Sequence, residues 1–570
     1  MRWTDKYNGL ACEEQIDIYC KQLGVSKFLA RLLLPLNFER VDQAFRFLNP
    51  SLQHFEDPSN IKNLNQLVDV LDHALRSGQA VGVISDYDVD GITSIALLQR
   101  CCRALNYQFK PFFPERETEG YGLSMDIVKR VLSNGHFDVI IALDCGTNSV
   151  EAVDFLNQQG VSVLIIDHHQ KNCQTLPKAI IVNPHLDGQT HSISSKQLCT
   201  VGLVFKLIHA WLKRLKAEQY PPAQSIRLRP FLDLVALGTV ADMVPLTEEN
   251  RLFVHFGLKE LQQSGLVGLK SLLKYAGIEE DNALTTDDVS FRLAPRINVS
   301  GRLGSAYLPF RLLTSQDVNL CNKLAKQLNQ LNSQRQEIEK EILEEAQRMI
   351  AQRSHRALTY VLYNENWHIG VVGIVAGKLT HQYGKPIFVL GKKGDFAKGS
   401  GRSIPEVDLV HLFQKAGIDA KQWGGHPAAV GLMVEPHHVA LLEEKLNQAL
   451  YKMFQHGFPE PTLSISASLD LEDLTDHLLE EVERVAPFGQ GNESPTFVLR
   501  NISLTKKPER FGSEGAHMRL SLNGITTIGW GMGSVRFPSD AVDLAVKITW
   551  NYWRGKKVFQ LQLVDWKRTS

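Results

Sequence analysis

The chain has 570 residues, 44% hydrophobic and 22% charged, a composition that excludes a disordered or fibrous protein. That length exceeds a single core and implies about three or four domains. Its 62 lysines and arginines balance 62 aspartates and glutamates, so net charge points to no polyanionic partner, although a basic groove can sit on a neutral protein.

The eight cysteines show no CxxC spacing and lie mostly in apolar contexts, which reads as reduced, buried thiols rather than zinc ligands or a disulfide frame. The opening segment MRWTDKYNGLACEEQ has no apolar signal core, and no stretch approaches the ~20 apolar residues of a membrane span. A cytoplasmic protein with no membrane attachment is expected.

Residues 1–62 have a helical pattern and carry no motif. From residue 63 the pattern alternates: helix LNQLVDVLDHALRSG, strand AVGVIS, helix ITSIALLQRCCRAL, strand YQFKPFF, helix SMDIVKRVLSNG, strand DVIIALD, helix NSVEAVDFLNQQG, strand VSVLIID. These strands are continuous apolar runs separated by helices, which predicts a parallel sheet covered on both faces. Helices follow to about 310, closing a unit of 63–315. A single stripe of Leu320, Leu324, Leu328, Leu331, Ile338, Ile342, Ala346 and Met349 predicts one long helix over 316–353, with Thr314 and Asp317 as a capping box. At 1.5 Å per residue it would run roughly 55 Å, long enough to separate two domains. A second α/β unit is expected over 354–457. In 458–570, AVDLAVKITW and VFQLQLVDW alternate apolar and polar residues as half-buried antiparallel strands do, and a small β-barrel fits.

The motif that carries chemistry is VGVISDYDVDG, where Asp86, Asp88 and Asp90 follow an apolar run. An EF-hand loop would need a bidentate Glu at its twelfth position, which here is Leu97, and would be flanked by two helices. The strand–loop–helix context instead puts the carboxylates at the carboxyl edge of a parallel sheet, where ligands of open α/β sheets bind. Two more strands end alike, DVIIALDCGTNS with Asp144 and VSVLIIDHHQ with Asp167, His168 and His169. Any one of these aspartates could be a helix N-cap; three such endings at one edge point to metal. Asp242, after the apolar helical run LDLVALGTVA, is a fourth element, with a solvated helix end as its competing role. Asp86, Asp88, Asp90, Asp144, His168 and Asp242 offer mostly oxygen with a little imidazole, a set suited to Mn²⁺ or Mg²⁺. Five carboxylates exceed the needs of one ion, so two divalent ions about 3.5–4 Å apart are expected, the arrangement of a two-metal phosphoesterase or phosphatase.

In order and spacing, DYDVDG, LDCG, DHH and GTVADMVPL resemble the DHH phosphoesterase superfamily. FFPERETEGYGLS, FRLAPRINVSGRLG, WHIGVVGIVAGKL, GSGRSI, GGHPAAVGL and LAPFGQGNESPTF extend the resemblance over roughly 65–570 to its RecJ branch of bacterial single-strand-specific 5′ exonucleases. The resemblance implies a parallel-sheet DHH domain, the connecting helix, a DHH-associated α/β domain and a C-terminal OB-like barrel. It further implies that Asp86, Asp88 and Asp144 hold one ion and Asp90, Asp144, His168 and Asp242 the other, with Asp144 bridging. The Asp86 position is a histidine in some members. His169 would lie by the scissile phosphate, with Asp167 orienting the histidines.

Phosphate needs cationic donors, and Arg116, Arg296, Arg302 and Arg402 are the candidates, each with salt bridging to surface carboxylates as its competing role. Asn298 would bond a phosphate or sugar. Ser400 in the glycine-rich GSGRS, and His426 in WGGHPAAVGL, would meet the substrate where the DHH-associated domain closes over the metal domain. In the barrel Phe511, Trp530, Tyr552 and Trp553 are available for stacking on bases, although core positions are expected for the tryptophans. The expected activity is 5′-to-3′ hydrolysis of single-stranded DNA to mononucleotides in repair and recombination, by a monomer, with a helicase and a single-strand binding protein as partners implied by the resemblance. A phosphodiesterase for short RNA or cyclic dinucleotides, and a non-catalytic replication scaffold, are the alternatives.

Overall fold

The structure, a computed structural model, describes residues 1–5, 10–116, 118–186, 195–279, 281–354, 356–419, 423–504, 506–538, 540–553 and 556–569. It divides into two compact units, a larger one of 3–301, 305–328 and 464–570 and a smaller one of 1–2, 302–304 and 329–463.

The larger unit is built on a parallel sheet of β1 (Val81–Ser85), β2 (Lys110–Phe112), β3 (Val139–Leu143), β4 (Ser162–Ile166) and β5 (Ile180–Val182), in the order β2-β1-β3-β4-β5. Every residue of β1 and β3 is buried, as expected of strands with helices on both faces. The register aligns the strand ends: Ser85 pairs with Leu143, and Leu143 with Ile166. The next residues, Asp86, Asp144 and Asp167, therefore stand side by side on one edge. Their N–H groups carry the ladder one step further, donating to the carbonyls of Leu143, Ile166 and Val182.

Three helices join this edge: α1 (Val89–Ala104), α2 (Thr200–Ala217) and α3 (Leu232–Ala241), followed by α4 (Glu248–Gln262). Helix α3 is buried on all sides and apolar apart from Thr239 and Asp233, whose carboxylate is paired with Arg100. It packs closely on α1 through Gly238, where a Cβ would come within 2.4 Å of Thr93 Oγ1. A larger residue there would push away the end of α3, which carries Asp242.

The remainder of the larger unit joins sequence that looked separate. The helices Leu10–Leu23, Lys27–Leu33 and Val41–Leu48 share one apolar core with the C-terminal sheet, Leu29, Leu33 and Phe47 meeting Leu479, Phe497, Leu544 and Leu561. Phe28 stacks on Phe497 with ring centroids 5.7 Å apart. That seven-stranded sheet comprises Ala467–Leu469, Phe497–Ile502, Glu509–Phe511, His517–Leu522, Ile525–Gly529, Val542–Trp553 and Lys556–Arg568, the last two forming a long antiparallel pair. The expected apolar–polar alternation fails at its start, since Val542, Asp543, Leu544, Ala545 and Val546 are all buried. Asp543 is accommodated by accepting hydrogen bonds from Asn501 N–H and Thr569 Oγ1.

The smaller unit carries a five-stranded sheet of Tyr360–Tyr363, Ile387–Lys393, Phe396–Arg402, Trp423–His426 and Ala429–Val434, parallel only between the first two. Helix Val318–Ala351 begins in the larger unit and ends in the smaller. Its N-terminus differs from the expected capping box. Asp317 Oδ1 alone accepts from Asn319 and Leu320 N–H, while Thr314 closes the preceding helix through Phe310 O. All eight cysteines are free, and no described helix is long and apolar enough to cross a membrane.

Candidate metal centre

Asp86 leaves β1 fully buried, Asp88 caps α1 by accepting from Gly91 N–H at 3.1 Å, and Asp90 lies in the first turn of α1 with 1% exposure. Asp144 follows β3 with a left-handed backbone, φ 61°, a conformation that aspartate tolerates better than most residues. His168 and His169 follow Asp167, whose Oδ1 accepts from both histidine N–H groups and contacts His169 Nδ1 at 2.7 Å. Asp242 is the residue after α3.

These side chains converge. His168 Nε2 lies 3.4 Å from Asp144 Oδ1, 3.5 Å from Asp242 Oδ2 and 3.8 Å from Asp90 Oδ2. Ligand-sized groupings form around Asp86, Asp88 and Asp144, around Asp144, His168 and His169, and around Asp90, His168 and Asp242. Asp144 is shared between two of them.

The electrostatics say what such a cluster lacks. Burial, then Asp88, raises Asp90 to about 7 against the pull of the Val201 and Thr200 amides. Burial, then Asp90 and Asp88, raises Asp242 to about 9. Asp86 and Asp144 are pushed well above the usual carboxylate range, first by burial and then by the other aspartates. His168 is driven down to about 3 by burial and by His169, so it is a neutral imidazole. Its approaches to the carboxylates are therefore not ion pairs. No hydrogen bond of ordinary geometry reaches either Asp86 oxygen or Asp242 Oδ2, although the Tyr87 and Gly122 amides still favour the Asp86 anion. Asp242 Oδ2, a buried acceptor without a donor 3.5 Å from a neutral nitrogen, and the two donorless Asp86 oxygens match the oxygen-rich surroundings of a hard divalent cation. The residues fit Mn²⁺ or Mg²⁺.

Sequence reasoning missed two parts of this site. The amino end of α2 binds Asp90 through the N–H groups of Thr200 (2.7 Å) and Val201 (2.8 Å), and Thr200 Oγ1 donates to Asp144 Oδ1 at 3.0 Å. The only trace in the sequence is a threonine opening an apolar helix. Tyr121 OH hydrogen-bonds His169 Nε2 at 2.8 Å, from a turn between Gly120 and Gly122. Burial alone would lower His169, but the Asp167 hydrogen bond and charge raise it to about 9.

The remaining expected residues are distributed over the two units. In the larger one, exposed Arg116 places its guanidinium 5.6 Å from the Tyr87 ring centroid and reaches Gly301 O. Arg296 donates to the carbonyls of Arg292 and Tyr275, and Asn298 ends a short helix. In the smaller one, Arg302 donates to Gly370 O at 2.9 Å. Arg402 donates to Ser400 Oγ at 2.5 Å and has no carboxylate partner among the described residues. His426 is exposed at a strand end. The glycines of GSGRS serve close strand packing rather than an anion cradle: a Cβ on Gly401 would meet the Phe388 ring at 2.3 Å. On the C-terminal sheet, Trp530 is 55% exposed rather than in the core, and its ring meets those of Phe511 and His517. The side chains of Tyr552 and Trp553 lie outside the described residues.

Apo-protein stability should follow from these shifts. Asp90 and Asp242 bind protons more tightly folded than unfolded, so their contribution is complete below about pH 4 and is lost as pH rises through about 7 and about 9. The His169 contribution is lost over the same rise, from its ordinary 6.5 to about 9. The melting temperature in EDTA is expected to fall on the order of 5 °C between pH 6 and pH 9, and saturating Mn²⁺ should flatten the slope. A pH-independent melt in EDTA would contradict the crowded-carboxylate reading.

Three family descriptions match the chain: the N-terminal domain of the DHH family over residues 80–239, the DHHA1 domain over 355–452 and the RecJ OB domain over 465–565. With the cluster of carboxylates and histidines that could hold metal at the sheet edge, they define a metal-dependent hydrolase of the DHH type. The single-stranded-DNA-specific exonuclease RecJ of Bacillus subtilis is 30% identical over 97% of this chain and 69% of its own. That of Thermus thermophilus is 31% identical over 89% and 71%. The crystal structure of Thermus thermophilus RecJ in complex with Mn²⁺ superposes with a TM-score of 0.82 at 28% identity, covering 100% of this chain and 80% of that one, and a second holds Mg²⁺. The chain belongs to the RecJ family.

Proposed function

We propose that this protein is a metal-dependent exonuclease that degrades single-stranded DNA from the 5′ end to mononucleotides. The observation that carries the reading is Asp144, one buried carboxylate shared by two ligand groups at the sheet edge. Asp86, Asp88 and Asp144 would hold one divalent ion, and Asp90, Asp144, His168 and Asp242 the other. Such a pair lowers the pKa of a water and neutralises charge on phosphoryl oxygens. The chain's own residues do the rest. Thr200 and the α2 amides fix Asp144 and Asp90, and neutral His168 keeps an imidazole lone pair available. His169, oriented by Asp167 through Nδ1, presents Nε2 as a donor for a phosphate oxygen, a position Tyr121 OH now occupies.

Arg402 supports a phosphate substrate. Burial lowers its pKa, and no carboxylate among the described residues pairs with it. Its Nη2 would lie 3.3 Å from a Cβ on Gly373, in the first turn of the helix Val372–Tyr383, while Arg302 bonds Gly370 just before that helix. Two arginines, Ser400 and a helix N-terminus suit a phosphate group. Arg402→Ala is expected to lower kcat/KM about 10–100-fold, because charge-assisted hydrogen bonds contribute roughly 1.5–3 kcal/mol each, and to leave Mn²⁺ binding unchanged. Arg302→Ala should behave alike. Arg296→Ala tests whether that guanidinium serves substrate, with Asn298 and Arg116, or only its carbonyl partners; lost metal or a lowered melting temperature would mark it as structural.

Exposed Trp530 with Phe511, and with Arg519 5.2 Å from the Phe511 ring centroid, offers a stacking surface for single strands. A monomer in the cytoplasm, aided by a helicase and a single-strand binding protein, completes the reading. The test is digestion of long strands labelled at either end with Mg²⁺, Mn²⁺ or EDTA. Early release of the 5′ label as mononucleotide, only with metal, is expected; release from the 3′ end first, or preference for dinucleotides, would overturn it.

A further inference from the structure

Asp90 and Asp144 are held by hydrogen bonds from α2. Asp242 is different. Its Oδ2 has no hydrogen bond, so its orientation depends on the backbone that carries it. That backbone leaves α3, turns at Met243 with φ 58° and reaches Leu246, 2% exposed, before α4 begins.

Leu246 is pinned by sequence from the far end of the chain. Its N–H donates to Gln490 O at 2.7 Å. Gln490 belongs to a tight turn in which Gly489 and Asn492 exchange main-chain hydrogen bonds of 2.9 and 3.1 Å. A Cβ on Gly489 would stand 2.6 Å from Leu246 Cδ1, and one on Gly491, φ +72°, would stand 3.1 Å from Pro245 Cβ. The turn is anchored on both sides. Asn492 Nδ2 donates to Val485 O and Pro487 O, and Thr286 Oγ1 donates to Phe488 O. Behind it the buried guanidinium of Arg251, on α4, donates to Val485 O at 2.8 Å and lies 3.5 Å from the Phe47 ring centroid.

We propose that the turn Phe488–Asn492, which leads into the C-terminal sheet, is a positioning element of the metal centre. By seating Pro245 and Leu246 it sets the carboxylate of Asp242, and so couples metal affinity to the docking of the C-terminal module. The inference rests on Asp242 being a metal ligand. It gives Gly489 a reason to be glycine that no turn rule supplies, since the space it leaves is filled by the ligand-bearing loop; Gly491 has the left-handed φ as well as the close approach of Pro245.

The test compares full-length Gly489→Val, Gly491→Ala and Asp242→Asn, each titrated as apo-protein with Mn²⁺ by calorimetry and melted in EDTA. Gly489→Val is expected to weaken Mn²⁺ binding about 10-fold or more, as loss of groups that orient ligands does. Gly491→Ala should do so less, and cleavage by both should return toward the parent rate as Mn²⁺ is raised. A lowered melting temperature with unchanged Mn²⁺ affinity, or activity that excess Mn²⁺ does not restore, would show the turn to be structural only. If Gly489→Val fails to fold, Gly491→Ala decides by the same readings. Unchanged Mn²⁺ affinity in Asp242→Asn would sink the ligand assignment itself, a result distinct from failure of the glycine variants.

Discussion

Replacing Asp144 by alanine is expected to abolish cleavage with either Mg²⁺ or Mn²⁺ while leaving the protein folded. Its Oδ1 lies 3.4 Å from His168 Nε2 and 4.0 Å from His169 Nδ1, and its carboxylate also belongs to the group with Asp86 and Asp88. No neighbour can replace it, because the two ligand groups meet there. Losing several kcal/mol of charge stabilisation corresponds to a fall of about 10³-fold or more. The fold should survive: removing one member of a crowd of buried carboxylates relieves repulsion, and this offsets the roughly 1–2 kcal/mol that alanine costs in a left-handed backbone. Asp144→Asn, which accepts that backbone, controls for the strain. Activity above a few per cent with Mn²⁺ in both variants would defeat the shared-ligand assignment. His168→Ala should match Asp144→Ala, whereas Asp86→Ala should recover in part with excess Mn²⁺.

Ending the chain at residue 456 is expected to yield a protein of much lower stability, because the N-terminal helices lose the core they pack into. The candidate ligands all precede residue 243, yet residues 464–570 belong to the same compact unit as those ligands. Leu29, Leu32, Leu33, Phe47 and Leu48 of the N-terminal helices lie in one core with Leu479, Phe497, Leu544 and Leu561. Exposing those five would cost roughly 1.5–3 kcal/mol each, of the order of 10 kcal/mol together, comparable with the whole stability of a typical domain, about 5–15 kcal/mol. Arg251 would lose the Val485 and Arg484 carbonyls that satisfy its buried guanidinium. Circular dichroism and a thermal melt of the purified fragment decide this; a cooperative melt at the full-length temperature would refute the shared core. The contribution of the C-terminal sheet to DNA binding is therefore better read from Trp530→Ala. That exposed residue should cost affinity for long strands about 10-fold, consistent with stacking of roughly 1–3 kcal/mol per base, and leave short strands little changed.

The parallel sheet was legible because burial on both faces leaves apolar residues throughout β3 and, but for Ser85 at its end, β1, and its edge because three strands stop at aspartate. Position together with residue type singled out Asp86, Asp88, Asp90, Asp144, His168 and Asp242, since any one aspartate could cap a helix but three strands ending in carboxylate or imidazole at one edge point to a cation. The OB region was legible in part: alternation marked its strands, but the double burial of Val542–Val546 and the exposure of Trp530 depend on what packs against each face. A tryptophan has the same hydrophobicity whether it is covered or offered to a ligand.

What the sequence by itself determined, then, is local: the order of strands and helices, the edge at which the carboxylates gather and the class of ligand it suits. Tertiary structure alone decided which distant segments act on that edge. Thr200 bonds Asp90 across 110 positions, and Leu246 meets Gln490, through hydrogen bonds from main-chain N–H groups that every residue type but proline possesses. The physical reason is that a backbone N–H or C=O leaves no mark on the sequence, and glycine's room for a neighbour looks no different from glycine's freedom to turn.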